Sequence, residues 1–406
     1  MDKKRTEKCL ILISNFATTP QYPGPTRNFD FACVLAERGW KVKLLNCRFN
    51  HYLRRYLHKP PKWQNGVRMA WIWSTPYRGN SIERELNVVV FSALSFWRGL
   101  FSRGDIVVTV TPPLETALCG WLLARMKRIP FILDLEDLWP DSIIAMGFRN
   151  QAVIKMMRFF EHFLYRHADH IQVVAAEMRE YLLKQNVPEA KIDLIPLGAN
   201  LPRCNRDRAT IRAQYGWTDQ EIVAVYMGAH GPANSLETLI RAAAKLDDST
   251  IRIVLFGDGS DKPRLREIAS ELGIGSHLVL ADPVPPEVVP DILQAADIGI
   301  ASLKNTDTFK TVRPNKLYEY MAASLPIVCC IDGEARRFVT GLDSGIYVPP
   351  EDSGELATGL RRLAANPELR RRLGRNGREF VTREGDRRVL AVLMDQVLKK
   401  VIDGVK

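Results

Sequence analysis

The stretch RPNKLYEYMAASLPIV, Arg313 to Val328, gathers two cations and a carboxylate where its spacing predicts a helix to begin. Leu317, Tyr320 and Met321 recur at helical spacing and define an apolar face, leaving Lys316 and Glu319 on a neighbouring one. Pro314 sets the start, because proline disfavours a helical conformation in the residue ahead of it. Cations and unpaired amides at a helix N-terminus suit phosphate, since free N–H groups and the positive end of the helix dipole both favour an anion. Glu319, one turn further in, could accept two hydroxyl hydrogen bonds from a sugar ring. The same residues also describe an amphipathic helix with a solvated Lys/Glu face.

Other loops follow apolar runs. In TTPQYPGPTRN, Gly24 either lets backbone approach a phosphate ahead of a helix at Thr26 or simply makes a turn. DLEDLWPDS, Asp134 to Ser142, puts four carboxylates around a strand end. Burying several acids together is costly and raises some of their pKa values, so such a cluster is more often a site than scaffolding. Gly228 in MGAHG and Gly257 in FGDGS end strands, and FGDG is no dinucleotide fingerprint. The sequence contains no Walker A motif, no GxSxG elbow and no HExxH. His162, His167 and His170 lack metal-site spacing, and His167 and His170 are expected to cap the C-terminal end of their helix.

These loops must be positioned by the elements between them. Short apolar runs alternate with helical patterns, from CLILISNF through a helix at Thr26 to Arg38, KVKLLNC, DIVVTV, FILDLE and HIQVVA to KIDLIPLG. Such alternation implies βαβ units and a parallel sheet. Asn50 to Arg84, rich in aromatic and basic residues, breaks the rhythm as an irregular insertion. The pattern lapses in ANLPRCNRDRATIRAQYGWT and restarts at IVAVYMG. The expected architecture is therefore α/β, with an N-terminal Rossmann-like domain over 1–199, a linker over 200–218 and a C-terminal Rossmann-like domain over 219–385. A last helix over 386–406 is expected to pack back on the first domain. Two doubly wound domains facing one another would hold ligands in a cleft beyond the carboxyl ends of their strands.

At 406 residues the chain is too long for one ordinary core, which agrees with two domains. With 57 Lys+Arg against 46 Asp+Glu, the net charge of +11 suits an anionic partner: a nucleotide, a phosphorylated substrate or an acidic membrane surface. Nucleic acid fits poorly, because the cations are spread through amphipathic helices and no recognition motif occurs. Seven cysteines without a CxxC pair read as thiols in a reducing compartment. MDKKRTEK followed by the short run CLILISNF reads as a first buried strand and not as a signal peptide. LNVVVFSALSFWRGLF, Leu86 to Phe101, is short for a membrane span and carries Arg98. It is either a core helix or an interfacial one, with Phe96, Trp97 and Phe101 dipping among headgroups beside Arg98 and Arg103.

Taken together, the Gly24 loop, DLWPDS, FFEHFLYRHADHIQVVA, KIDLIPLGAN, YMGAHG, LFGDGSDKPRL, LQAADIGIASL and NKLYEYMAASLPIV resemble the family 4 retaining glycosyltransferases of GT-B fold. DLWPDS and PNKLYEYMA resemble the fucosamine-transferase-like branch that builds bacterial surface polysaccharides, such as O-antigen and capsule. The resemblance implies metal-independent, retaining transfer from a nucleotide diphosphate donor. The donor would be a UDP-linked sugar, N-acetylated or 6-deoxy, and the acceptor a lipid-linked molecule or a glycan at the cytoplasmic membrane face. The implied catalytic residues are Asp137, which would orient the acceptor hydroxyl, Glu136 beside it, and Lys316. The implied donor-binding set is Gly24, Gly228, His230, Gly257, Val284, Arg313, Asn315, Lys316, Leu317 and Glu319. In it Glu319 would hold the ribose hydroxyls, Arg313 and Lys316 would neutralise the diphosphate, and Val284 would meet the nucleobase. No metal and no other cofactor is implied.

The sequence departs from that pattern in four places. The family's first acid would fall eight residues before Glu319, at Thr311. MGAHGPANS lacks the arginine and lysine many relatives carry there, although His230 is near. Gly24-Pro25 stands for a Gly-Gly pair, and Glu136 stands where an arginine is common. Two other readings follow: a non-catalytic regulatory subunit that keeps the fold, and a sugar-nucleotide 2-epimerase using the acids of DLEDLWPD.

Overall fold

The computed structural model describes residues 7–404 apart from 80–81, 247–249 and 276. The chain divides into two compact units, one of residues 1–197 with 387–406 and one from Gly198 to Asp386.

The first unit is built on ten strands: β1 (Cys9–Ser14), β2 (Lys41–Cys47), β3 (Phe49–Asn50), β4 (Arg55–Tyr56), β5 (Trp63–Gln64), β6 (Val67–Ile72), β7 (Ile106–Thr111), β8 (Phe131–Leu135), β9 (His170–Val173) and β10 (Ile192–Leu194). Eight of them form one sheet in the order β10-β9-β8-β7-β1-β2-β6-β5, while β3 and β4 pair as a separate antiparallel ribbon. Every pairing in the sheet is parallel except that of β5 with β6. All six residues of β1 are buried, as a strand covered on both faces requires. One face packs on α1 (Arg27–Glu37) and on the last helix, Arg387–Gly404, through Leu390, Met394 and Leu398. The other packs on α2 (Ile82–Leu100), α3 (Leu114–Lys127), α5 (Gln151–His167) and α6 (Ala176–Lys184), with α4 (Asp141–Ala145) a short turn after β8.

Three expectations are corrected here. The insertion over Asn50 to Arg84 is not irregular throughout, because β6 lies inside it in register with β2, Lys43 opposite Arg68 through Cys47 opposite Ile72. Its period-two alternation was masked by Arg68 and Trp71. His170 does not cap a helix; it opens β9 and its Nε2 lies 2.5 Å from Asp193 Oδ2. His167 does cap α5, with Nδ1 2.8 Å from the Phe163 carbonyl. The third concerns the helix read as starting at Leu86, which begins at Ile82 and is turned unexpectedly. It buries Ser92, Ser95 and Gly99 and exposes Leu86, Val89, Trp97 and, just beyond its end, Phe101.

The second unit holds β11 (Ile222–Met227), β12 (Ile251–Phe256), β13 (Leu278–Ala281), β14 (Ile298–Ser302), β15 (Ile327–Cys330) and β16 (Gly345–Tyr347). They form an all-parallel sheet in the order β13-β12-β11-β14-β15-β16. The stretch 200–218 is not a linker: it contains α7 (Arg208–Tyr215), capped by Asp207, and it buries Ile211 and Trp217. With only a few apolar residues around Ile211, it leaves little hydrophobic period to read. The remaining helices are α8 (Leu236–Ala243), α9 (Lys262–Glu271), α10 (Val289–Ala295), α11 (Asn315–Ala322), α12 (Glu334–Gly341), α13 (Ser353–Ala364) and α14 (Pro367–Phe380). The chain then returns to the first unit as α15 (Arg387–Gly404).

Strand order reverses between β1 and β7 in the first unit and between β11 and β14 in the second. In open parallel sheets these switch points are where loops diverge and leave a crevice beyond the strand ends.

Candidate functional site

At the switch point of the second unit, β11 ends in Gly228 at φ 150° and β12 in Gly257 at φ 152°. A Cβ on Gly257 would lie 1.8 Å from the Gly228 carbonyl oxygen, so only glycine lets the two strand ends meet. A Cβ on Gly228 would lie 3.3 Å from Lys316 Nζ, and that ammonium sits 3.8 Å from the centre of the Tyr226 ring. Burial lowers the Lys316 pKa to about 7 against the pull of Glu319. A cation held partly out of water over a glycine strand end gains when an anion arrives.

His230 is completely buried beside it, and neither ring nitrogen has a hydrogen-bond partner among the described residues. Its pKa is lowered to about 4, first by burial and then by Lys262, so the imidazole is neutral at pH 7. Its backbone is held by N–H donation to Asp258, 2.9 Å, and its carbonyl accepts from the Asp261 amide at 2.9 Å. An unpartnered buried imidazole is costly, and a ligand group would satisfy it.

Pro314 is the N-cap of α11, as proline spacing required, and Leu317, Tyr320 and Met321 are fully buried. Lys316 and Glu319 are half-buried on the other side, and Asn315 donates its side-chain amide to Glu319. The amide of Leu317 is not available for phosphate, because it donates to the Pro314 carbonyl at 3.1 Å. Arg313 is likewise committed elsewhere: its guanidinium pairs with Glu334, donates to the Tyr318 hydroxyl at 3.0 Å and stacks 4.0 Å from the Phe338 ring. The expectation that Arg313 neutralises a diphosphate fails for that reason. Thr311 spends its hydroxyl on the Thr308 carbonyl, 2.8 Å. Val284 is half-buried in the loop after β13.

In the first unit, Gly24 has φ 128°, and a Cβ there would lie 2.7 Å from both Thr18 Cγ2 and Tyr52 Cε2. Close packing under Tyr52 demands the glycine. The four acids after β8 each have a partner. Asp134, fully buried, accepts from Arg27 Nη1 at 2.7 Å and Gln172 at 3.1 Å. Glu136 accepts from the same Arg27 nitrogen at 3.0 Å and from Asn28 at 3.2 Å. One guanidinium serves two carboxylates, so burial, helped by Asp134, raises the Glu136 pKa despite Arg27. Asp137 Oδ1 accepts from the Leu138 amide at 2.9 Å and the Ser142 hydroxyl at 2.5 Å, and burial raises its pKa against those bonds. Asp141 is held by Arg158, 2.9 Å from Nη1. The cluster is thus largely scaffolding, with Glu136 and Asp137 at its edge.

Three residues hold these sites in place; of them only Tyr320 was named from sequence, as part of the apolar face of α11. Arg27, 107 positions from Asp134, supplies the cation that Glu136 displaces from its own place. Tyr320 accepts from the Met227 amide at 2.9 Å and donates to the Ile300 carbonyl at 3.2 Å, which clamps α11 to both strands of the switch point. Lys262 donates at 2.8 Å to the Gly257 and Ala281 carbonyls and to Asp282, tying the ends of β12 and β13. A lysine two positions after GDGS was the only signal for it.

Comparison with known proteins bears on family and fold. The family described as glycosyl transferase 4-like domain matches residues 26–198, and that described as glycosyl transferases group 1 matches residues 207–380. D-inositol 3-phosphate glycosyltransferase of Nocardia farcinica is 26% identical over 268 residues, 63% of this chain and 58% of that protein. The chain therefore spans less than two thirds of that relative's length. The putative colanic acid biosynthesis glycosyl transferase WcaI of Escherichia coli K12 is 22% identical over 339 residues, 76% of this chain and 82% of that one. Among solved structures, HepE of Anabaena in complex with UDP-glucose matches with a TM-score of 0.74 at 14% identity, covering 97% of this chain and 99% of that one. At that identity the likeness is one of fold.

Proposed function

Because the chain belongs to the group 1 glycosyltransferases, with a glycosyltransferase 4-like domain ahead of the group 1 domain and a GT-B fold, we propose that it transfers a sugar from a nucleotide diphosphate donor to a glycan or lipid-linked acceptor in surface polysaccharide synthesis. The carrying observation is the Lys316 ammonium over Gly228 at the N-terminus of α11, beside the unpartnered His230. The donor diphosphate lies there, where Lys316 and the first amides of α11 stabilise the charge that grows as the sugar leaves. His230 donates one hydrogen bond to a phosphate oxygen, Glu319 holds the ribose hydroxyls and Val284 meets the base. Arg313 has no direct part. UDP is the favoured nucleotide, since HepE, which shares the fold, is solved with UDP-glucose.

In the chemical step the acceptor hydroxyl, oriented by Asp137 with Glu136 behind it, attacks the anomeric carbon from the face that the diphosphate leaves. Its proton passes to the departing phosphate oxygen, so the anomeric configuration is kept and no metal is needed. The rate comes from positioning and from charge stabilisation at the leaving group. Colanic acid synthesis, which names WcaI, supports a polysaccharide product. The apolar outer side of α2 supports peripheral attachment to an anionic membrane, and no helix among the described residues is long and apolar enough to cross one.

Calorimetric titration with UDP, GDP and their sugar conjugates, with and without magnesium, tests the pocket. Base-selective, metal-independent binding that Glu319→Ala abolishes is expected. If no nucleotide binds the intact chain, the pocket is not a donor site and a regulatory role replaces the enzymatic one.

A further inference from the structure

The first unit carries a second concavity that the donor reading leaves unused. It is a cavity of about 820 Å³, within the usual size range of small-molecule sites of roughly 300–1,000 Å³. Its floor is the outer part of β6, Met69 to Trp73, and one wall is the C-terminal end of α2. Trp63, Trp73, Trp97 and Phe101 line it, at 64%, 51%, 56% and 83% exposure. Four large aromatics left in water around one hollow are not explained by the fold, whose cores are closed without them.

The orientation of α2 adds to the case. It buries Val88 and Phe91 in its first half, but toward its C-terminal end the buried residues are small: Ser92 Oγ lies 2.9 Å from Thr116 Oγ1, and a Cβ on Gly99 would lie 2.4 Å from Leu123. The helix approaches α3 closely and turns Trp97 and Leu94 toward the cavity. Its C-terminal half therefore keeps large apolar residues on the cavity side as well as inward, which suits an apolar occupant.

Charge says which occupant. Arg48, Lys59, Lys62, Arg68 and Arg98 also line the cavity, and no acidic residue among the described residues does. Arg68 stands directly opposite Lys43 in the register of β2 and β6, and like charges so placed repel. Burial lowers the Lys43 pKa to about 8, with Arg98 and Arg68 adding to it. The concentration of cations is therefore electrostatically unfavourable until an anion joins it. Tryptophan with arginine around an apolar hollow matches a ligand that is hydrocarbon at one end and anionic at the other.

We propose that this trough binds a phosphate-bearing lipid, with its hydrocarbon chain against the tryptophans and its phosphate on Arg68 and Arg98, and that this lipid is the carrier of the acceptor. The proposal rests on the reading of the acceptor as lipid-linked and names the chemistry that holds it.

The test is quenching of tryptophan fluorescence in the full chain by geranylgeranyl monophosphate below its micellar concentration, with geranylgeraniol and inorganic phosphate as separate titrants. Saturable quenching by the monophosphate is expected, with the alcohol and the free phosphate each binding at least about tenfold more weakly. Arg68→Ser with Arg98→Ser should weaken the monophosphate by about tenfold or more, the loss of charge-assisted contacts. Trp97→Ser, at an exposed position that the fold does not need, should also weaken it. UDP binding by calorimetry should be unchanged in both variants, which shows that they are folded. Equal binding of alcohol and monophosphate, equal binding of free phosphate, or wild-type affinity in the double variant would each overturn the proposal. Loss of UDP binding by the unaltered chain with lipid binding intact would instead overturn the donor reading alone.

Discussion

The strand-end loops of the two units hold charged residues at comparable density and use them in opposite ways. At the end of β8 and beyond it, Asp134, Glu136, Asp137 and Asp141 all meet partners within the first unit: Arg27, Asn28, Gln172, Ser142 and Arg158. After β11 and at the start of α11, Lys316 and His230 are held near one another with the imidazole unsatisfied and the ammonium partly dehydrated. Asp134 and Asp141 are held by arginines, whereas Glu136 shares its arginine and Asp137 has only neutral donors, so those two stay available to an acceptor as Lys316 and His230 do to a donor. Charge count alone does not separate them; the completeness of the pairing does.

The sharpest break of that contrast is Arg27→Met. It leaves Asp134 buried and uncompensated, and the first unit should lose about 3–5 kcal/mol in denaturant unfolding while UDP binding persists in whatever remains folded. A loss under about 1 kcal/mol would mean that Asp134 is not held by Arg27 and would add it to Glu136 and Asp137 as a site candidate. Lys316→Met should behave inversely. Stability should stay within about 1 kcal/mol of the parent, because the ammonium is already partly dehydrated, while transfer falls about 10²–10³-fold. Unchanged turnover would remove Lys316 from the mechanism.

A smaller effect concerns pH. Lys316 in the free protein is charged below about pH 7 and mostly neutral at pH 8. A bound diphosphate favours the charged form, so binding at pH 8 should take up a proton, and affinity should fall by up to about tenfold per pH unit above 7. Calorimetry in buffers of different ionisation enthalpy measures that uptake directly. Zero uptake at pH 8 would place the anion away from Lys316.

How much of this was readable beforehand follows from the range of each interaction. The frame of α11 was, because Pro314 and the spacing of Leu317, Tyr320 and Met321 act within a few residues. The strand runs of both sheets were, since strands buried on both faces are continuous in apolar residues. β6 was not, because Arg68 and Trp71 interrupt its alternation at an edge where one face opens on the cationic trough. The roles of the acids were not legible either: Arg27 lies 107 residues from Asp134, and nothing local marks the pair. Arg313 reads as a phosphate ligand until α12, which was not foreseen, brings Glu334 to it.

The return of α15 to the first unit has a consequence for how the molecule is made. Residues 198–386 form their unit from one continuous stretch, whereas the first unit needs Leu390, Met394 and Leu398 to close one side of its sheet. Trp40 and Arg38 also wait for Asp395, which accepts from both at 2.7 Å. On the ribosome the unit begun first is therefore finished last, and until the final helix emerges it presents an open apolar surface that a chaperone would recognise.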